Sequence, residues 1–170
     1  SMLKLVYSIV LAIILPLLSH AALPSRQTIQ KSIIADQGAV NGGVAGNGFS
    51  MLKMQLVAMP KMRLERFIFD IGDLKGKKIK GLPGYYHVQL VKNPPQMIID
   101  FSQMPVSRVF ENDLTQTVKK SVLVSSGRLV SDPIDKSLTM VLNLKKPGKV
   151  KVMQVKGVKE TSKLVVDLYN

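Results

Sequence analysis

Alternation of apolar and polar residues runs through most of the chain from about residue 50 onward, and it predicts strands. In YYHVQLVKNPPQMIIDF, residues 85–101, Tyr86, Val88 and Leu90 face one way while Tyr85, His87, Gln89 and Val91 face the other. After the Asn93-Pro94-Pro95 break, Met97, Ile99 and Phe101 face away from Ile98 and Asp100. Two successive prolines remove two ladder donors and disfavour helical backbone ahead of them, so this link reads as a corner between two strands.

The same reading extends in both directions. Residues 51–59 alternate as a strand, with a helix also allowed because Met, Leu, Lys and Gln are good helix formers. Residues 63–71 place Glu65, Phe67, Phe69 and Ile71 on an apolar face, and 72–84 form a basic, Gly-rich connection with room for a short strand at 77–80. An edge strand is expected at 106–110, and 113–117 is too short to sustain a helix. Strands follow at 118–130, with a bulge or bend at Gly127, and at 136–144. Lys145-Lys146-Pro147-Gly148 sets Pro-Gly at the centre of a reverse turn, followed by a Val/Lys strand and a last strand at 163–169. The expected core is Leu64 or Phe67, with Phe69, Ile71, Val88, Leu90, Met97, Ile99, Phe101, Leu123, Leu138, Met140, Leu142, Leu144, Leu164, Val166 and Leu168.

Two stretches occur twice. LVVDLY at 164–169 echoes MIIDFS at 97–102, and MVLNL at 140–144 echoes FIFDI at 67–71. Each half then holds a first strand with a polar residue near its end, a middle strand, and a last strand reading apolar-apolar-apolar-Asp-apolar. Eight to ten short strands, each with one apolar face, predict an all-β fold: a sandwich of two related small antiparallel sheets with an internal pseudo-two-fold repeat.

The N-terminal segment reads differently. Lys4 precedes an apolar run at 5–18, and Ser19-His20-Ala21 places small residues before Ala22, the pattern of a cleaved secretory leader over 1–21. The run is short for a membrane span and contains Pro16. Residues 22–49, with five glycines between Gly38 and Gly48, read as a flexible linker, and 50–170 as the folded domain. Export without a single cysteine suits a periplasm, with no membrane span once the leader is gone. Lys and Arg number 24 against 11 Asp and Glu, a net charge of +13, which favours anionic partners such as cell-wall polymer, lipid headgroups or acidic protein. Nucleic acid would fit the charge, but export argues against it.

Catalytic chemistry finds little material. Beyond the leader the only histidine is His87, mid-strand, with no acid at triad or ligand spacing, and no cysteine exists to act as nucleophile or zinc ligand. Asp70 and Asp100 could form a carboxylate pair if their strands were neighbours, although a strand-end carboxylate more commonly pairs with lysine. The glycines at 72–84 match no phosphate loop. The expectation is a protein that is not an enzyme and needs no cofactor and no metal.

RLERFIFDI, YYHVQLVKNPPQMIIDFSQM, SLTMVLNL and KLVVDLYN together resemble the AMIN domain, the envelope-targeting module beside N-acetylmuramoyl-L-alanine amidases and in some pilus secretins. The family rhythm, Arg-x-x-hydrophobic-Asp-hydrophobic and later three hydrophobics, Asp and a hydrophobic, maps onto residues 66–71 and 97–101, with a weaker second copy at 139–144 and 164–168. Asn143 stands where the pattern has an acid. The resemblance implies a sandwich of two related sheets that binds peptidoglycan, or another anionic envelope polymer, without catalysis. A face for a sugar-peptide polymer should combine Arg or Lys with Tyr, Asn and Gln. Arg66, Tyr85, His87 and Gln89 are expected to face outward on two successive strands, extended by Arg108 or Arg128. Two other readings stay open: an accessory protein-interaction subunit of an envelope secretion or pilus machine, accepting a partner strand at a sheet edge, and a carrier of an apolar ligand.

Overall fold

The alternation at 63–71 becomes strand β4 (Leu64–Asp73), with Glu65, Phe67, Phe69 and Ile71 buried on the inner face and Arg66, Ile68 and Asp70 turned outward. The computed structural model describes residues 31–169; the expected leader at 1–21 lies outside the described residues. The other strands are β1 (Lys31–Ala35), β2 (Gly38–Gly42), β3 (Phe49–Met59), β5 (Tyr86–Lys92), β6 (Pro95–Phe101), β7 (Val106–Ser107), β8 (Val124–Asp132), β9 (Ser137–Leu144), β10 (Lys149–Val155) and β11 (Ser162–Tyr169), with one helix, α1 (Glu111–Val118). They form a six-stranded sheet in the order β1-β10-β11-β4-β3-β7 and a five-stranded sheet in the order β2-β5-β6-β9-β8. Every pairing is antiparallel except the short parallel contact of β7 with β3. The two sheets pack face to face as a β-sandwich, with Phe69 of one against Phe101 of the other, ring centroids 5.4 Å apart and edge to face.

The internal repeat extends to residue pairing. Exchanging β3, β4, β5 and β6 for β8, β9, β10 and β11, and β2 for β1, turns the order of the five-stranded sheet into that of the six-stranded one, with β7 the one strand left over. Leu56 faces Phe67 across β3 and β4 as Leu129 faces Met140 across β8 and β9. A bulge between Met51 and Lys53 recurs between Val124 and Ser126, at the same place in the repeat.

Several expectations are corrected. Part of the stretch read as flexible linker is strand: β1 pairs with β10 and β2 with β5, one on each sheet edge, with Ile34 buried. Its glycines serve close approach, since a Cβ on Gly42 would stand 2.1 Å from Tyr86 Oη. Residues 111–118 form a helix despite three β-branched residues, because Leu114 and Val118, one turn apart, are buried where α1 packs along β8. Its first turn is steadied by Asp113 Oδ2, which accepts from the Phe110 N–H at 2.8 Å. The bulge of β8 falls between Val124 and Ser126, just before Gly127, and Gly127 itself allows close packing, for an added Cβ would press on Leu114 and Leu142 at 3.1 and 3.0 Å. The strand expected at 118–130 therefore starts only at Val124, and the edge strand at 106–110 shrinks to Val106–Ser107. At 77–80 only an isolated bridge, Gly72 to Lys78, is made. Pro95 opens β6 opposite Lys92, tolerated as the first residue of a strand. The expected core residues are buried except Leu123, which is half-buried, and Met51, Tyr86, Leu114, Val150 and Val152 join them. No helix among the described residues is long and apolar enough to cross a membrane.

Tyr86 supplies a test of this packing. Its ring is 4 % exposed, its hydroxyl donates to Gln154 Oε1 at 3.0 Å, and burial pushes its pKa up to about 12 from 10.0. Since the folded-state value is raised, the contribution to stability is intact below pH 10 and is lost as pH rises from 10 to 12. A two-unit shift corresponds to about 2–3 kcal/mol. Denaturant titrations at pH 9 and at pH 12 should show that loss in the native protein and a smaller one in Tyr86→Phe; equal losses would place the phenol in water.

Candidate functional site

The residues expected to bind are divided between the two sheets. His87 and Gln89 on β5 and Arg128 on β8 share the outer face of the five-stranded sheet, where cross-strand register aligns Asn41, His87, Asp100, Thr139 and Val130 in one row and Ala39, Gln89, Ile98, Val141 and Arg128 in the next. Tyr85, 47 % exposed, immediately precedes β5 at the end of that surface. Arg66 is on the outer face of the other sheet, across the whole sandwich, so the expected single surface does not include it. Arg108 follows β7 and lies against the 73–77 turn, its Nη2 2.2 Å from where a Cβ on Gly76 would stand. The strands of Arg66 and His87 are successive in sequence but belong to different sheets, which periodicity cannot reveal. Asp70 and Asp100 are likewise on opposite sheets and form no pair.

The repeat supplies an internal comparison of the two outer faces. Asp167 on β11 and Asp100 on β6 are equivalent, as are their cross-strand neighbours Arg66 and Thr139, and Lys151 and His87. Asp167 is fully buried beneath a bidentate clamp: Arg66 Nε donates to Oδ1 at 2.7 Å and Nη2 to Oδ2 at 2.9 Å, with Lys151 Nζ 3.6 Å from Oδ2. Hydrogen bonding to that carboxylate raises the Arg66 pKa above its usual range, outweighing the opposing effect of burial. Asp100 has none of this. Thr139 Oγ1 donates to it, and among the described residues no Lys, Arg or His forms an ion pair with it. His87 is held instead by Asn41, with Nδ1 donating to Oδ1.

A second equivalent pair differs in the same way. Lys163 Nζ donates to Asp70 Oδ1 at 2.7 Å on the six-stranded sheet; on the five-stranded sheet Gln96 Nε2 donates to Asn143 Oδ1 at 2.8 Å, and Asn143 Nδ2 to Ser126 Oγ at 2.8 Å. One outer face carries ion pairs, and the other carries amide, hydroxyl, imidazole and carboxylate groups interspersed with Ile98, Val141 and Val130, with Arg128 exposed at one side.

The alternation put one acid, Glu65, on the apolar face but could not name its partners. Glu65 turns inward beside Phe67 and is 3 % exposed. Its Oε1 accepts from Ser121 Oγ at 3.0 Å and from the backbone N–H groups of Val122 and Leu123 at 2.9 and 2.8 Å, while the buried Oε2 has no partner. The signal was present: an acid on the apolar side of an otherwise regular alternation is a charge committed to the interior. Among the described residues no group of three or more His, Cys, Asp and Glu could hold a metal ion. No protein-family model matches this chain, and no curated protein matches it.

Proposed function

We propose that this chain is a non-catalytic binding module of the cell envelope, exported to the periplasm, and that the outer face of its five-stranded sheet attaches it to peptidoglycan. The observation that carries the reading is the broken symmetry of the repeat. At positions where one sheet satisfies its polar groups with Arg66, Lys151 and Lys163, the other presents Thr139, His87 and Gln96, beside Asp100 and Asn143, on its outer face. A glycan with peptide branches offers hydroxyls, amides and carboxylates. A flat polar surface bonds such a polymer at many weak points, and Arg128 adds a fork for its carboxylates. The positive net charge of +13 supports approach to an acidic polymer and predicts attachment that weakens with salt.

The test is co-sedimentation of the purified chain with purified peptidoglycan. Pelleting at low salt is expected to fall by about three- to tenfold in Gln89→Ala/Arg128→Ala, the effect of losing one or two polar contacts. Gln55→Ala, on the outer face of the other sheet, should pellet as the parent does. Absence of pelleting at low salt, or equal loss in both variants, would exclude this surface.

A further inference from the structure

Glu65 is an anomaly that the repeat makes measurable. By register it corresponds to Leu138: Glu65 faces Ala58 and Leu168, and Leu138 faces the equivalent Ser131 and Phe101. The fold therefore accepts a leucine at this inner position, and burying a carboxylate there instead is costly. Holding the 121–124 loop does not account for the charge, since the three donors all converge on Oε1 and the carbonyl of a glutamine would accept them equally well. Oε2 is left over.

Glu65 is among the residues that line a cleft of about 510 Å³ at one end of the sandwich, within the size range of small-ligand sites. Arg63 and Lys146 line it, Met59, Pro60 and Val122 form its apolar walls, and neither cation is within ion-pair distance of Glu65. Arg63 takes the left-handed region, φ 54°, where it closes the 3-10 turn at Pro60–Met62. The cleft thus combines a buried carboxylate that lacks one donor with exposed cations. A metal ion would need further oxygen or nitrogen ligands that this wall lacks. A purely anionic ligand would meet Glu65, and a purely cationic one would meet Arg63 and Lys146.

We propose that this cleft binds an ammonium–carboxylate zwitterion, a free amino acid or a short peptide with both ends unblocked, its ammonium paired with the Glu65 carboxylate and its own carboxylate facing Arg63 and Lys146. The site is separate from the outer face of the five-stranded sheet and does not depend on its attachment to a polymer.

The experiment titrates the purified chain with alanine, alanyl-alanine, N-acetyl-alanyl-alanine and alanyl-alanine amide, following the amide resonances of Val122, Leu123 and Lys146. Saturable shifts are expected with alanyl-alanine, with alanine, or with both, which tells a peptide source from a free amino acid. Blocking either end should weaken binding by about tenfold or more, the effect of a lost charge-assisted hydrogen bond. Glu65→Gln, melting as the parent does, should weaken alanyl-alanine by a similar factor, and Lys146→Ala should weaken it while leaving the amide unaffected. Equal binding of the acetylated dipeptide, undiminished binding by Glu65→Gln, or no saturable shift with any of the four would overturn the proposal. Should Glu65→Gln fail to fold, the blocked ligands alone decide.

Discussion

Arg66→Ala should lower the unfolding free energy by about 3 kcal/mol, the lower end of the range for breaking a buried ion pair. The reasoning rests on Asp167, which is fully buried and accepts both Arg66 bonds, at 2.7 and 2.9 Å. Without the guanidinium its charge remains in a low-dielectric setting with only Lys151, at 3.6 Å, to compensate, and that remaining cation keeps the effect from the top of the range. Asp167→Ala should cost less, because Arg66 retains 29 % side-chain exposure and can return to water. Arg66→Met combined with Asp167→Leu should recover most of the stability, as apolar replacement of a buried pair commonly does. Urea denaturation of the four proteins checks all three statements. A loss below about 1 kcal/mol in Arg66→Ala would class the pair as an ordinary surface bridge.

Phe69→Ala should cost about 3–5 kcal/mol, as for other buried aromatic truncations. Phe69 is fully buried on a central strand, between Leu164 of β11 and Met54 of β3, and its ring meets Phe101 from the opposite sheet at 5.4 Å. The truncation therefore opens a cavity between the layers, where neither sheet can collapse to fill it. Against a typical total of about 5–15 kcal/mol, a loss of that size threatens the folded state. A double-mutant cycle with Phe101→Ala should show coupling of about 0.5–1.5 kcal/mol, the value of an aromatic pair beyond its burial. Ile68→Ala, next in sequence but on the half-buried outer face, should lose much less. If the two single losses were equal, the inward assignment of Phe69 would fail.

The strands were legible where each residue's environment is set by its immediate alternation. Phe67, Phe69 and Ile71 point inward because a pleated strand sends every second side chain to one face, and the echo of FIFDI in MVLNL survives as matched registers and a matched bulge. Helix α1 was not legible, since its propensity is poor and its stability comes from burying Leu114 and Val118 on β8. Strand β2 was hidden by its glycines, which let the backbone approach Ile34 at Gly38 and Tyr86 at Gly42, and β1 was read with it as one linker. Of the candidate residues, His87, Gln89 and Arg128 lie on one outer face, with two strands between Gln89 and Arg128, whereas Arg66 is held by Asp167, 101 positions away in sequence.

By itself the sequence determined the all-β class, the inward face of most strands and the doubling of the domain, because periodicity and repetition are properties of neighbouring residues along one chain. Only the tertiary structure decided which sheet each strand joined, and with it which polar groups are neutralised and which remain available. Two equivalent aspartates differ for that reason alone: Asp167 lies opposite an arginine and Asp100 opposite a threonine, a distinction made by partners that strand pairing brings from distant parts of the sequence.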